Sequence, residues 1–270
     1  MAPPVAFFDL DNTLLRGTSL IHLGRGLYDR GYVSARTLVR AAAMEARYRA
    51  TGTEDVTDAQ VAQKAALAAI RGRDTAEFAQ HCADIFAERI AGRFCPEAVA
   101  LASGHLDAGH EVWLVTASPV EIAELCAAHL GFTGGLGTVA ERADGRYTGR
   151  LVDGMLHGPA KATAIKRLTA ENGYDLTRAY AYSDSANDLP MLSMVANPRA
   201  VNPDARLKRY AREHDWPVLE FREDRGMRGK VSRGVRAGAS LGMAARGLAR
   251  RYAGAIVPDD ARPKPKPDAG

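Results

Sequence analysis

Two aspartates stand directly after a short apolar segment near the start of the chain. In the stretch AFFDLDNTLL, Phe7 and Phe8 are followed at once by Asp9 and Asp11. Residues two apart in an extended strand point to the same side, so the two carboxylates are expected to lie together at the edge of the core. Burial of two like charges is costly unless a cation or a proton stabilises them. The pair therefore predicts a site that binds a cation or transfers a proton.

Three further polar groups come at the ends of predicted elements. Thr116 ends the apolar strand VWLVT, Lys161 lies at the start of a helix in GPAKATAIKRL, and the segment SDSAND (residues 183–188) follows the strand AYAY. Taken singly, Thr116 also fits a helix-capping hydroxyl and Lys161 also fits a solvated surface charge. The four pieces, each at a strand or helix terminus, favour one shared site.

Alternating strands and helices are expected to position these groups. Three main strands are predicted, with helices between them, and two shorter strands and a hairpin over residues 138–152 complete the series. The strands are Val5–Asp9, Glu111–Val115, Ala179–Tyr182, Ala200–Val201 and Val218–Phe221, and the hairpin turns at Asp144-Gly145. This alternation predicts an α/β, Rossmann-like, mainly parallel sheet. Ligands bind at the carboxyl ends of such strands, where Asp9, Thr116 and Asp184 fall.

The domain organisation follows from the change of pattern along the chain. Residues 19–99 are predicted to form a helical cap inserted after the first strand, and residues 1–18 and 100–221 to form the catalytic core. Residues 222–257 are a basic extension rich in Gly, Ala and Arg. Residues 258–270 carry a Pro/Lys-rich sequence that is expected to be disordered.

The segments DLDNT and SDSAND, with Thr116 and Lys161 between them in the chain, resemble the haloacid dehalogenase superfamily in its phosphoserine phosphatase-like branch, subfamily IB. The resemblance covers residues 4–221. The fourth motif of the family usually begins with Gly, and here Ser183 stands at that position. We expect this change to affect loop packing rather than chemistry, because the carboxylates are kept. The resemblance implies a phosphatase that acts on phosphomonoesters.

The same resemblance implies a role for each motif residue. Asp9 is expected to attack phosphorus and to carry an aspartyl-phosphate, and Asp11 to act as general acid and then as general base. An acid at position 11 favours phosphate esters over dehalogenation, because a dehalogenase has no alkoxide to protonate. Thr116 is expected to bind the phosphoryl oxygens. Lys161 is expected to neutralise charge there and to keep Asp9 ionised by lowering its pKa.

The resemblance also implies Mg²⁺ as cofactor. Its ligands are expected to be oxygen atoms from the Asp9 carboxylate, the Asp11 main-chain carbonyl and the Asp184 carboxylate. Asn187 and Asp188 are expected to support this metal shell.

The cap is expected to select the substrate. Phosphoserine phosphatases of this branch carry a glutamate in the first cap helix that recognises the substrate's amino group, whereas here no acid occurs between Leu15 and Asp29. The candidate substrate contacts are Arg16, Thr18 and Ser19, although Thr18 and Ser19 equally suit a helix cap and Arg16 a surface charge. We therefore expect a small phosphorylated metabolite other than phosphoserine. Acids later in the cap keep the ammonium alternative open: Glu45, Glu54 and Asp55.

Composition restricts the class of protein and its cellular location. The 270 residues are 46% hydrophobic and 25% charged with a net charge of +4, which is typical of a globular protein. We see no signal peptide and no run of about 18 apolar residues, so a cytoplasmic protein is expected. Cys82, Cys95 and Cys126 lack metal-type spacing and are expected to be buried free thiols.

The basic extension supports a competing hypothesis. One predicted helical face carries Leu241, Ala244, Leu248 and Tyr252, and Arg246 and Arg250 lie opposite. That pattern suits a helix on an anionic membrane surface, which would make the chain a peripheral membrane protein acting on a lipid phosphate or serving in regulation or interaction. A solvated, glycine-weakened tail is the other interpretation. Nucleic acid is not expected as a partner, since Tyr252 is the single aromatic residue available for stacking.

Overall fold

A six-stranded sheet forms the centre of the computed structural model, which describes residues 2–51 and 56–221. The strand order is β3-β2-β1-β6-β7-β8, and every neighbouring pair is parallel. A separate antiparallel hairpin is formed by β4 and β5. The strands are β1 (Val5–Phe8), β2 (Glu111–Pro119), β3 (Gly134–Thr138), β4 (Ala140–Ala143), β5 (Arg146–Leu151), β6 (Tyr180–Ser183), β7 (Asn197–Val201) and β8 (Val218–Leu219). The predicted mainly parallel α/β architecture is confirmed.

The described helices fall into a cap group and a core group. The cap contains α1 (Ser19–Asp29), α2 (Ala35–Thr51), α3 (Val56–Ile70) and α4 (Thr75–Ile85), followed by a π-helical turn (Phe86–Ile90) and a 3₁₀ turn (Ala91–Arg93). The core contains α5 (Pro96–Asp107), α6 (Val120–Leu130), α7 (Pro159–Asn172), α8 (Leu189–Leu192) and α9 (Ala205–Glu213). No helix in the described ranges is long and apolar enough to cross a membrane.

The cap is connected to the core by two adjacent backbone segments. The Cys95 N–H donates to the Leu14 carbonyl (2.8 Å), and the Arg16 N–H donates to the Arg93 carbonyl (2.9 Å). Beyond this connection α5 packs on β1 and β2, and Ala98 and Val99 belong to the same buried cluster as Ala6 and Phe8 of β1. Residues 96–99, which the sequence assigned to the cap, therefore form the first turn of a helix that covers the sheet.

Burial on both faces explains why β1 is apolar throughout. All four residues of β1 are completely buried, with Ala6 and Phe8 in the core on one side of the sheet and Val5 and Phe7 in the core on the other. Central strands of parallel sheets have this continuous apolar pattern. The run ends at Asp9, where the strand reaches the edge of the sheet.

Strand β3 was not predicted, because its sequence, GGLGT, contains few residues that favour strands. The structure shows why glycines occupy it. A Cβ at Gly135 would lie 2.6 Å from the Ala123 carbonyl oxygen, and one at Gly137 would lie 2.6 Å from the Val120 Cα. Close packing of α6 against β3 thus requires glycine at these positions.

The predicted hairpin is present and contacts the cap. Asp144 and Gly145 have φ angles of 50° and 74°, as a tight hairpin turn requires. The Gly72 N–H donates to the Tyr147 carbonyl (2.8 Å), and the Thr75 N–H donates to the Gly145 carbonyl (2.9 Å). The hairpin therefore gives the cap a second attachment to the core.

The three cysteines of the chain are free and buried, as predicted: Cys82, Cys95 and Cys126.

The basic extension and the tail, from residue 222 onwards, lie outside the described residues, as do residues 52–55.

A completely buried histidine lies against the sheet. His105 Nε2 is 2.7 Å from the Tyr182 hydroxyl, and its Nδ1 is 2.8 Å from Nδ1 of His110. Burial, together with His110 and Arg199, lowers the pKa of His105 to about 3. His105 is therefore neutral in the folded protein at pH values where an exposed histidine is protonated.

We expect the free energy of unfolding to fall by about 2 kcal/mol through His105 between pH 7 and pH 5. The reason is that the unfolded chain, with an ordinary histidine pKa of about 6.5, binds a proton that the folded chain cannot bind, so stability is lost as the pH falls below that value. Urea unfolding at both pH values measures the effect in the wild type, in His105→Gln and in the exposed control His214→Gln. A pH dependence equal in all three proteins would contradict the assignment.

Candidate active site

Parallel pairing brings the ends of three strands to one edge of the sheet. Phe8 is in register with Leu114 of β2 and with Tyr182 of β6, and the Asp9 N–H donates to the Tyr182 carbonyl (2.9 Å). Asp9 and Asp184 directly follow β1 and β6, and Thr116 lies within β2, two residues after Leu114. The Asp9 and Asp184 carboxylates lie close enough for the charge of Asp9 to act on Asp184.

Asp9 is held by two side-chain donors. Its Oδ1 accepts from Lys161 Nζ at 2.6 Å, and its Oδ2 accepts from the Thr13 hydroxyl at 3.2 Å. Burial raises the pKa of Asp9, and the Asp188 carboxylate raises it further, although Lys161 acts in the opposite direction. The expected effect of Lys161 is therefore present, but the net shift is upward because burial outweighs it.

Lys161 lies in the first turn of α7 and is 3% exposed, so it is not a solvated surface charge. Its Nζ bonds Asp188 Oδ2 at 2.8 Å as well as Asp9. Burial alone would lower the pKa of Lys161, but the Asp188 and Asp9 carboxylates raise it overall, which keeps the ammonium charged. The ammonium thus connects the first motif with the fourth.

Asp188 was expected to support a metal shell, and the structure shows it orienting the lysine. Besides Lys161, its Oδ2 accepts from the Ser183 hydroxyl at 2.7 Å. Ser183, which stands where the family usually has Gly, therefore contributes to the packing of this loop. Asn187 lies in a short 3₁₀ turn (Ala186–Asp188), and its backbone N–H donates to the Ser185 hydroxyl at 3.2 Å.

Asp11 is bound by the start of the cap. Its Oδ1 accepts from the backbone N–H of Ser19, the first residue of α1, at 2.7 Å. Burial and then the neighbouring Asp9 carboxylate raise the pKa of Asp11 to about 7. A carboxyl group with such a pKa can both donate and accept a proton near neutral pH.

Thr116 is almost completely buried at the site. Its Oγ1 accepts from the Ser118 backbone N–H at 3.2 Å. Within the described ranges no acceptor takes the Thr116 hydroxyl proton, so this proton is available to an anionic group in the site.

The residues present fit a hard divalent cation. Burial, followed by Asp9 and Asp188, raises the pKa of Asp184 well above its usual range, and no described residue donates a hydrogen bond to its carboxylate. Such a carboxylate among like charges is stabilised by a cation with a preference for oxygen ligands. No group of three or more His, Cys, Asp or Glu side chains in the described part of the chain forms a metal site by itself. The predicted ligand set takes two side chains and one main-chain carbonyl.

The three candidate substrate contacts have different surroundings. Arg16 is exposed, with its guanidinium 3.8 Å from the Glu97 carboxylate. Thr18 is the N-cap residue of α1, but its side chain makes no capping hydrogen bond. Ser19 is completely buried, and its hydroxyl lies 2.5 Å from the hydroxyl of Ser118. The Ser19 side chain thus contacts Ser118 in the core and also bonds the Asp11 carboxyl.

Two residues at the site were assigned no role from the sequence. Thr13 contacts Asp9, and Ser118 contacts Ser19. A signal for Ser118 was present, because residues 116 and 118 point to the same side of an extended strand. That signal was missed because the strand was predicted to end at Val115, whereas β2 continues to Pro119.

Comparison with known proteins gives concordant matches. A family model described as haloacid dehalogenase-like hydrolase matches residues 6–193. The chain is 45% identical over 253 residues to phosphoserine phosphatase SerB1 of Mycobacterium tuberculosis, covering 92% of this chain and 81% of that protein. It is 35% identical to a histidinol-phosphatase of Neisseria meningitidis, covering 81% of this chain and 99% of that one. A crystal structure of a Bordetella pertussis protein of unknown function matches with a TM-score of 0.70 and 28% identity, over 81% of this chain and 99% of that chain.

Proposed function

The chain belongs to the haloacid dehalogenase-like hydrolase family and is a phosphatase, and on this basis we propose that it hydrolyses small phosphomonoesters with Mg²⁺ through an aspartyl-phosphate on Asp9. The observation that carries the proposal is the buried ammonium of Lys161, which bonds both Asp9 and Asp188. This arrangement combines a nucleophile, an acid and phosphate-binding groups at one sheet edge.

In the first step, an Asp9 carboxylate oxygen forms a bond to phosphorus while the bond from phosphorus to the leaving oxygen breaks. Asp11 gives its proton to that oxygen and becomes a carboxylate, so the leaving group departs as a neutral alcohol. Thr116 donates a hydrogen bond to a phosphoryl oxygen, and Lys161 balances the negative charge.

In the second step, Asp11 takes a proton from water, and the resulting hydroxide oxygen bonds to phosphorus. The bond between phosphorus and Asp9 breaks, which releases phosphate and restores the free carboxylate. Asp11 is protonated again at the end, so the same group serves as acid and then as base.

The cation supplies positive charge that offsets the repulsion between an anionic carboxylate and an anionic phosphoryl group. Asp9, the Asp11 carbonyl and Asp184 would hold it. Asn187 would support this shell, and Asp188 would position Lys161.

The intermediate can be tested by trapping. The protein is incubated with Mg²⁺ and acetyl phosphate labelled with ³²P, quenched in acid and digested. We expect the label in the peptide that contains Asp9, in a form that hydroxylamine releases, as is typical of an acyl phosphate. Label on another residue would contradict the proposed nucleophile.

The described part of the cap supports a substrate without an ammonium group. His22 is nearly buried in α1, and a Cβ at Gly17 would lie 3.8 Å from its Nε2. Burial, together with three nearby arginines, lowers the pKa of His22 to about 4: Arg93, Arg25 and Arg89. An ammonium group needs a carboxylate partner when it is buried, and α1 carries no acid before Asp29.

We expect phosphoserine to be a poorer substrate than its amine-free counterpart, 3-phosphooxypropanoate. The two esters differ only in the amino group, so an unpaired ammonium should lower kcat/KM by about tenfold or more. Steady-state kinetics on the pair, with histidinol phosphate as a third ester, measure this. A clear preference for phosphoserine would mean that the cap supplies an acid from elsewhere, and Glu45, Glu54 and Asp55 are the candidates. The substrate assignment would then be wrong, while the mechanism would be unaffected.

The membrane alternative depends on residues 222–257, which lie outside the described residues. Co-sedimentation with anionic liposomes, of the full chain and of a truncation after Phe221, tests it directly. Binding by the full chain alone would support recruitment through the basic extension.

A further inference from the structure

A pair of buried hydroxyls joins the cap to the core beside the active site. The Oγ atoms of Ser19 and Ser118 are 2.5 Å apart, and both side chains are completely buried. Ser19 begins α1 of the cap, and Ser118 lies near the end of β2 in the core. A buried hydroxyl without a partner is costly, so each of the two serines stabilises the position of the other.

Each serine also contacts a group that the proposed mechanism uses. The backbone N–H of Ser19 donates to Asp11 Oδ1 at 2.7 Å, and the backbone N–H of Ser118 donates to Thr116 Oγ1 at 3.2 Å. The first N–H groups of a helix have no partner within the helix, so the Ser19 N–H is free to bind a carboxyl group. The hydroxyl pair therefore holds the Ser19 N–H, which binds Asp11, close to strand β2, which carries Thr116.

We propose that Ser118 is a positioning residue for the general acid: its hydroxyl holds Ser19, and the Ser19 N–H directs the Asp11 carboxyl toward the leaving oxygen. This inference rests on the proposed role of Asp11. Deletion of the Ser118 hydroxyl leaves the Ser19 N–H in place but removes the side-chain contact that fixes it against the core. The start of α1 can then shift, and Asp11 shifts with it.

The dependence on the leaving group distinguishes positioning of the acid from a general structural role. Departure of an aliphatic alcohol breaks the bond between phosphorus and oxygen while the Asp11 proton moves to that oxygen. The p-nitrophenolate ion is a weak base and departs without a proton. A misplaced Asp11 should therefore slow alkyl phosphates more than p-nitrophenyl phosphate.

The experiment compares kcat/KM for glycerol 2-phosphate and p-nitrophenyl phosphate. This parameter reports the steps up to departure of the leaving group and omits hydrolysis of the intermediate. The variants are Ser118→Ala, Ser19→Ala, the double variant, Asp11→Asn as reference, and Thr169→Ala as a control for loss of a buried hydroxyl elsewhere. A positioned acid contributes about 10²–10⁴-fold, and we expect Ser118→Ala to lower the alkyl-to-aryl ratio by about tenfold or more. Thr169→Ala should leave the ratio unchanged.

The outcomes distinguish failure of the general-acid role of Asp11 from failure of the positioning role of Ser118. If Asp11→Asn leaves the ratio unchanged, Asp11 is not the general acid and the proposed mechanism fails. If Asp11→Asn lowers the ratio while Ser118→Ala and the double variant slow both substrates equally, the mechanism stands and the positioning role is overturned. The double variant also removes the Ser19 hydroxyl that bonds Asp11, so Ser118→Cys, which keeps a side chain of similar shape but bonds weakly, decides the question if Ser118→Ala does not fold, as checked by thermal unfolding.

Discussion

Replacement of the nucleophile, Asp9→Asn, is expected to lower kcat for phosphomonoester hydrolysis by at least about 10⁴-fold, which corresponds to about 5.4 kcal/mol in the barrier. The amide is close in size to the carboxylate, and its one oxygen can still accept from Lys161 while its NH2 group can donate to the Thr13 hydroxyl oxygen, but it cannot form the aspartyl-phosphate. Lys161 keeps its second carboxylate partner, Asp188, at 2.8 Å. The fold should consequently survive the substitution.

Turnover of several phosphomonoesters, thermal unfolding and intact mass together measure this effect. The mass is needed because deamidation of the new Asn would restore Asp and produce false activity. Asp175→Asn is a matched control. Asp175 is exposed and precedes β6, at the opposite end of that strand from the site. Its side chain accepts hydrogen bonds from Thr177. Hydrolysis by a homogeneous, folded Asp9→Asn protein would refute the assignment of the nucleophile.

Removal of divalent cations is expected to abolish activity, and Asp184→Ala is expected to abolish Mg²⁺ binding. Asp9 and Asp188 are buried and Asp184 is half-buried beside them, and Lys161 is the single buried ammonium among them in the described structure. A cation relieves this repulsion, and so does deletion of one carboxylate. The metal-free Asp184→Ala protein should therefore melt at or above the melting temperature of the metal-free wild type.

Titration calorimetry with Mg²⁺ and the rise of Tm on adding Mg²⁺ measure binding without relying on turnover. The wild type should bind and be stabilised, and Asp184→Ala should do neither. Asp153→Ala is the control, because Asp153 is exposed and pairs with Arg167 on the surface. Full activity of the wild type in excess chelator would show that the acidic cluster is not a metal site.

Local patterns in the sequence were sufficient to predict where the central strands of the sheet end. The apolar run before Asp9 predicted a strand terminus there, and the structure has β1 ending at Phe8 and β6 ending at Ser183, directly before Asp9 and Asp184. The prediction succeeded because a buried parallel strand requires a continuous apolar run, and polar residues can follow only where the strand leaves the core. The left-handed turn at Asp144-Gly145 was likewise readable, since few residue pairs adopt it.

Packing between elements decided what the sequence did not reveal. No strand was predicted over the glycines of β3, yet these residues form a strand, and they are glycines because α6 approaches too closely for a Cβ. The end of β2 was placed at Val115 because the apolar run stops there, but pairing with β3 carries the strand to Pro119. Neither feature has a signature within a short window of sequence.

The sequence by itself determined which residues could do chemistry and at which edge of the sheet they meet, because residue type and the periodicity of burial are local properties. Only the tertiary structure showed that Lys161 bonds Asp188 as well as Asp9, that burial gives Asp9 a net upward pKa shift, and that the Ser19 hydroxyl turns to Ser118. Lys161 lies 152 residues from Asp9, and Ser19 lies 99 residues from Ser118. Contacts and burial at such separations depend on how the cap and the sheet pack together, so no local pattern encodes them.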